Sequence, residues 1–342
     1  MGSDYINNIR NLSKILIYSE DPGMALKATE ALFDSFCQIT GLDQNGEEFK
    51  RNISLENGTA IGPVWAAMCI KDYYRTRIFI KGIINAIEDI QKVNPDQTIR
   101  ILYAGTGPFA SLAIPLILCH PDYKLKFAFL DIFEKSLTMV RTIIDTLNLQ
   151  DYVEEYIQSD ATEHKISSPG MYQMIISETM QHALEKEPQL AISFNLIPQT
   201  HPDTIFIPEQ IRISSGLMSL KINTDKKLSL LPPETTDTIH NETVFSMDSD
   251  EIRTLAKKYA GYKQVVIEKK LIIPKANIQE FSWLVLHTEI KVYKDFKLSE
   301  NNTGLCAPKL IVKIDNLDKI PSAVNFKYVT DKNPGFQHFF EY

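Results

Sequence analysis

Residues 99–115 read IRILYAGTGPFASLAIP, and the reading of the whole chain starts from them. Ile99-Arg100-Ile101-Leu102-Tyr103 predicts a short buried strand. Gly105-Thr106-Gly107 then makes a tight turn, and a helix over Ala110–Cys119 follows it. Glycine has no Cβ, so its backbone can approach a bound molecule closely. A helix N-terminus adds N–H groups without intrahelical partners. Strand, glycine turn and helix start together describe a nucleotide-binding edge, although glycine turns also end many strands that bind nothing.

Strands and helices alternate from there on. Lys126–Leu130 predicts a strand and Lys135–Leu147 a helix; Tyr152–Gln158 and Tyr172–Ile176 predict two more strands. Short apolar strands separated by helices predict a parallel sheet covered on both faces. Ligands in such sheets sit beyond the carboxyl ends of the strands. The polar residues at those ends are Thr106, Asp131, Asp160 and Glu178.

Upstream, residues 4–40 carry two helical runs broken at Asp21-Pro22-Gly23. Residues 41–60 are polar and turn-rich, which predicts a surface loop; a helix over Gly62–Val93 ends at Asn94-Pro95-Asp96. After Pro208, β-branched and alternating stretches at 210–214, 265–273, 283–292, 310–314 and 324–329 predict strands, with one helix over Ser249–Tyr259. The fold class predicted is α/β: a helical segment over 1–95, a doubly wound Rossmann-like sheet over 96–207, and a mostly antiparallel, barrel-like domain over 208–342.

Composition narrows the function. With 342 residues and 44% hydrophobic content the chain can bury a sizeable core. A net charge of −7 argues against general nucleic-acid binding. Cys37, Cys69, Cys119 and Cys306 are far apart and form no CxxC, as in a reducing compartment. No apolar run approaches the ~20 residues that cross a membrane, and a cytoplasmic protein is expected. The seven histidines show no metal spacing. Trp65 and Trp283 are expected in the core.

Asp131 closes the second strand, where a carboxylate can accept both hydroxyls of a ribose; a helix cap is the plainer alternative. Asp160 closes the third strand and can accept an adenine amino hydrogen or cap the turn at Thr162-Glu163. His182 can act as a general base or sit as a surface or capping residue.

Residues 99–180 resemble a class I S-adenosylmethionine-dependent methyltransferase, and within that class the protein arginine methyltransferases of the symmetric-dimethylating type. That type has a Gly-Ala-Gly-Arg-Gly-Pro turn, matched by Tyr103-Ala104-Gly105-Thr106-Gly107-Pro108. Its later strands end in an acid, in Ser-Asp and in Ile-Ile-Ser-Glu, matched by Phe129-Leu130-Asp131, Ser159-Asp160 and Ile175-Ile176-Ser177-Glu178. Its second essential glutamate matches Glu187, nine positions on. An upstream Arg-Thr, whose arginine holds the cofactor's carboxylate, matches Arg75-Thr76.

The resemblance implies S-adenosyl-L-methionine as cofactor. It would be held by Arg75, Tyr103, Ala104, Gly105, Thr106, Gly107, Asp131, Ile132, Asp160, Ala161 and Glu178, with Glu178, Glu187 and His182 at the chemistry. Tyr73 and Tyr74 precede Arg75, and one of them is a candidate cofactor contact. A methyl-acceptor substrate is the implied partner, and a homodimer a candidate assembly.

The chain also departs from the family. Tyr103 replaces the first motif glycine, and Ile101 the usual acid. Thr179-Met180-Gln181-His182 follows Glu178 in place of a bulky apolar residue and Met-Gly or Leu-Gly. The nearest stretch to the family's Thr-His-Trp loop, Asn302-Thr303-Gly304-Leu305-Cys306, has neither histidine nor tryptophan. The acceptor therefore stays open between a protein arginine and a peptide or small molecule carrying an amine, hydroxyl or carboxyl. A non-catalytic scaffold is the competing reading. A nicotinamide oxidoreductase is disfavoured, because the turn lacks a third glycine at helix-packing spacing.

Overall fold

A computed structural model describes residues 3–219, 238–259, 265–274, 278–300 and 302–342. Helices α1 (Ser3–Tyr18) and α2 (Pro22–Thr40) pack against each other. The Asp21 carboxylate starts α2 by accepting the Gly23 and Met24 N–H groups at 2.8 and 3.2 Å. The expected surface loop over 41–60 instead holds a short helix, α3 (Glu47–Lys50), and a hairpin of β1 (Ile53–Leu55) and β2 (Gly58–Ala60). The expected long helix is divided into α4 (Pro63–Met68) and α5 (Tyr73–Val93). The break falls at Asp72, whose side chain accepts the Arg75 N–H at 3.1 Å and so begins a new helix. Trp65 is not core: it is 45% exposed, and its indole N–H donates to the Lys50 carbonyl at 3.1 Å. Trp283 is half-buried.

The central sheet contains β3 (Ile99–Ala104), β4 (Leu125–Asp131), β5 (Val153–Gln158), β6 (Met174–Ser177) and β7 (Ile205–Ile207), all parallel, in the order β5-β4-β3-β6-β7. This is the predicted Rossmann-like sheet, with one strand more than expected: β7, three residues long, is too short to stand out by pattern. Helix α6 (Ile114–Cys119) starts four residues later than expected, because Ala110 takes φ +41 and breaks the run. Helices α7 (Glu134–Thr146) and α8 (Gln189–Leu196) complete the layer. Phe109, just past the glycine turn, packs edge-on against Phe33 and tilted against Phe36 of α2, at ring-centroid distances of 5.8 and 5.4 Å. That contact ties the turn to the helical segment.

The C-terminal part runs β8 (Gln210–Met218), β9 (Thr238–Asp248), α9 (Ser249–Lys258), β10 (Val266–Ile272), β11 (Trp283–Tyr293), β12 (Phe296–Leu298), β13 (Lys309–Lys313), β14 (Ala323–Val329) and β15 (Gly335–Glu341). They form two antiparallel sheets: β12-β11-β8-β9, with β13 also on β11, and β10-β14-β15. Strands β9, β12 and β15 were not among the expected ones. Helix α5 lies against β11: a Cβ on Gly82 would collide with Val292, and the Tyr293 hydroxyl donates to Asp89 at 3.1 Å. Arg75 lies in the first turn of this helix.

Candidate active site

A cavity of about 460 Å³ opens at the carboxyl ends of β3, β4, β5 and β6. Its wall includes Arg75, Tyr103, Gly105, Thr106, Gly107, Asp131, Ile132, Asp160, Ala161, Glu178, His182 and Glu187. Of the residues expected at the site, Ala104, Tyr73 and Tyr74 are off this wall; Ala104 is fully buried in the sheet. Successive strand residues face opposite sides, and Tyr103 takes the cavity side. Tyr73 and Tyr74 pack against the hydrophobic core and do not line the cavity.

The glycine turn is built for close approach. Gly105 and Gly107 have φ of +77° and +59°, the left-handed region that side chains resist. A Cβ on Gly105 would also overlap the Thr179 methyl, one residue beyond Glu178. The two motifs of the site are therefore in van der Waals contact.

Asp131 is buried, and its carboxylate is already engaged. One oxygen accepts the Gly107 N–H at 2.9 Å and the other the Phe133 N–H at 2.9 Å. Burial pushes its carboxyl up to about 6, against the pull of those N–H donors. A carboxylate offers about four lone-pair sites; the Thr106 hydroxyl takes a third at 3.5 Å, which leaves about one for a ligand. Asp160 accepts both the N–H and the hydroxyl of Thr162 with one oxygen, at 2.8 Å each, which is the capping arrangement.

Arg75 forms a partly buried ion pair with one oxygen of Glu178. The other oxygen, Oε1, is buried with no hydrogen-bond partner. An unpaired buried carboxylate oxygen on a cavity wall is costly unless a ligand donates to it. Glu187 is also buried; desolvation raises its carboxyl, while Arg75 and Gln181 oppose the rise. His182 is partly exposed, and its Nε2 lies 3.5 Å from Glu185. Burial lowers its pKa, Glu185 opposes, and Lys309 and Lys186 push the same way as burial.

The loop joining the two glutamates bends hard. Ala183, Leu184 and Lys186 have φ of +54°, +55° and +61°. Non-glycine residues hold such angles only where their surroundings impose them. Here Thr288 accepts the Ala183 N–H at 2.8 Å, Tyr328 donates to the Leu184 carbonyl at 2.9 Å, and the Pro334 carbonyl accepts the Lys186 N–H at 2.9 Å. From the other side, Thr59 of the hairpin donates its N–H to the Lys186 carbonyl at 2.7 Å.

Sequence reasoning missed that hairpin: Leu55, Thr59 and Ala60 line the cavity. Three-residue strands in a polar stretch leave no periodic signal. Gly304 and Leu305 line it too, from a stretch with neither histidine nor tryptophan. Among the described residues no group of three or more His, Cys, Asp or Glu side chains could hold a metal, and no helix is long and apolar enough to cross a membrane.

No protein-family model matches the chain, and no curated protein matches it. Solved structures do. The PRMT1 enzyme–prozyme heterotetrameric complex with AdoHcy from Trypanosoma brucei is similar over 80% of this chain and 96% of its own, with 14% identity and a TM-score of 0.51. The chain has the fold of a protein arginine methyltransferase. An open conformation of protein arginine methyltransferase 10 from Arabidopsis thaliana is similar over 74% of this chain and 84% of its own, with 13% identity and a TM-score of 0.47. In a protein arginine methyltransferase fold, a parallel sheet carries the glycine turn and an antiparallel domain follows, as in this chain.

Proposed function

We propose that the protein is an S-adenosylmethionine-dependent methyltransferase acting on a nitrogen or oxygen acceptor carried by a protein side chain, a peptide or a small molecule. The observation that carries the reading is the convergence of Arg75, Glu178 and Glu187 on the cavity that also holds the glycine turn, with Glu178 Oε1 buried and unpaired. When bound, S-adenosylmethionine would supply a methyl group on a positively charged sulfur. The cavity fits such a ligand in size and in chemistry. Gly105 and Gly107 leave room for it, Asp131 has acceptor capacity for a ribose hydroxyl, and Arg75 can hold a carboxylate.

Methyl transfer is a direct displacement, so holding the acceptor in line supplies much of the rate. Glu178 and Glu187 would grip a cationic or N–H-bearing acceptor through charge-assisted bonds and offset the positive charge beside it. His182, kept neutral by burial, would take the acceptor's proton. Leu305, in the nearest stretch to the resembled family's aromatic loop, supports an acceptor other than a standard protein arginine. The similar structure from Trypanosoma brucei is a heterotetrameric complex, so an oligomer, a homodimer included, belongs to the proposal, as does action in the cytoplasm.

Two measurements test it. Titration calorimetry with S-adenosylhomocysteine should give saturable binding that Asp131→Ala weakens. Labelled S-adenosylmethionine and a cell lysate should pass label into protein or small metabolites. Binding without transfer would leave the scaffold reading beside a missing acceptor; no binding would leave the scaffold reading alone.

A further inference from the structure

The bent loop between the glutamates brings His182 and Glu185 side by side. Ala183 and Leu184, the two residues between them, both hold left-handed backbone angles, and Glu185 Oε2 comes 3.5 Å from His182 Nε2. Lys309 of β13 donates to the other carboxylate oxygen, Oε1. Gly335 of β15 lies against the same side chain: a Cβ there would meet Glu185 Cγ at 3.6 Å. The carboxylate and the ammonium are each 22% exposed, whereas the imidazole is 39% exposed and stands on the cavity wall. Imidazole, carboxylate and ammonium thus form a row that runs from the cavity to β13.

The row has a direction. Lys309 holds Oε1, so Oε2 is the oxygen turned to the imidazole. In a neutral imidazole one nitrogen carries the proton and the other a lone pair, and a carboxylate beside one nitrogen settles which is which. Glu185 therefore favours the proton on Nε2 and the lone pair on Nδ1. Contacts of this kind are often long without substrate and tighten when it binds. The charged groups facing the ring are Glu185 and Lys186 on its own loop and Lys309 from β13. Burial lowers the imidazole's pKa, Glu185 opposes, and both lysines lower it further.

We propose that Glu185 and Lys309 are positioning residues that act through His182: the carboxylate holds the imidazole with Nδ1 free for the methyl acceptor, and the lysine holds the carboxylate. This rests on the methyltransferase reading above. The acceptor's N–H or O–H bond breaks, its electron pair stays on the acceptor, and the proton joins the Nδ1 lone pair. Glu185 then stabilises the imidazolium. Such a row serves an acceptor that must shed a proton, a hydroxyl or an amine, and gives nothing to one that arrives as an anion, such as a carboxylate. It also gives the left-handed angles at Ala183 and Leu184 a use, since strain of this kind gathers at functional sites.

The test uses the full chain and the variants Glu185→Gln, Lys309→Met, His182→Asn and His182→Asn with Glu185→Gln. Histidine side-chain NMR reads the titration of His182, calorimetry reads S-adenosylhomocysteine affinity, and label transfer from S-adenosylmethionine to a cell lysate is followed against pH. Removing the carboxylate should lower the His182 midpoint, and removing the lysine should raise it. The acid limb of transfer should follow the NMR midpoint, to lower pH in Glu185→Gln and to higher pH in Lys309→Met. A general loosening of the fold cannot produce opposite shifts. Glu185→Gln should also lose about tenfold in plateau transfer with S-adenosylhomocysteine affinity unchanged, and the double variant should be no worse than His182→Asn. An unmoved limb, full transfer in Glu185→Gln, or a double variant that multiplies the two single losses overturns the assignment and leaves the methyltransferase reading standing. A wild-type chain that does not bind S-adenosylhomocysteine overturns both.

Discussion

The Thr303 hydroxyl donates a hydrogen bond to the Asp72 carboxylate across the seam between the C-terminal domain and helix α5. The other Asp72 oxygen accepts the Arg75 N–H, and Thr303 itself accepts the Leu305 N–H at 3.2 Å. One carboxylate thus starts the helix that carries Arg75 and pins the turn that carries Leu305. Thr303→Val keeps the shape and removes the hydroxyl. It should cost about 1–2 kcal/mol in urea denaturation, with weaker S-adenosylhomocysteine binding, and Thr303→Ser should restore most of both. A Val variant with wild-type stability and affinity would mean the bond is idle.

Glu178 and Glu187 should separate under the same substitution. Glu178→Gln keeps the volume but takes the charge from the Arg75 pair; label transfer should fall by about a hundredfold or more, with S-adenosylhomocysteine affinity held within about threefold. Glu187→Gln should also lower transfer. Yet burial makes ionised Glu187 costly, so its amide should leave stability at neutral pH unchanged or raised. Retained transfer in both variants would place the acceptor elsewhere.

Asp131 predicts two pH slopes of opposite sign. Its carboxyl sits at about 6 in the fold against an ordinary 3.8, so the folded chain holds this proton more tightly than the unfolded one. The stabilisation is complete below the unfolded value and is lost as pH rises through about 6, by roughly 3 kcal/mol. S-adenosylhomocysteine binding should run the other way, strengthening up to about pH 7 as the carboxylate ionises and can accept a ribose hydroxyl. Asp131→Asn should flatten both profiles between about pH 4 and 6; profiles that keep their slopes would assign them to another group.

Gly105→Ala meets two obstacles, the left-handed backbone and the Thr179 methyl. The first alone costs about 1–2 kcal/mol, and the overlap adds to it. Thr179→Ser removes the methyl and keeps the hydroxyl that reaches Gln189 at 3.0 Å. The double variant should therefore recover the steric share and not the backbone share, as read by thermal melting. Full recovery would show that the left-handed angle carries no cost here.

Much of the site was legible because it lies in one contiguous stretch. Strand, glycine turn and the acids at the strand ends follow from local patterning, and Asp131, Asp160 and Glu178 do line one cavity. The hairpin at 53–60 and the strand at 205–207 were not legible, since three-residue strands form only when a neighbour supplies their hydrogen bonds. Trp65 misled because an aromatic residue suggests the core, whereas a single indole bond to Lys50 holds it at the surface.

By itself the sequence determined the parallel sheet and its polar carboxyl edge, because hydrophobic period and glycine turns act over a few residues. Tertiary structure alone decided that Arg75 would meet Glu178, that Tyr103 would turn its ring to the cavity, and that Thr288, Tyr328 and Pro334 would bend the loop between the glutamates. Those contacts join residues far apart in the chain. Their free energy exists only once the two domains have closed on helix α5, and no local pattern encodes it.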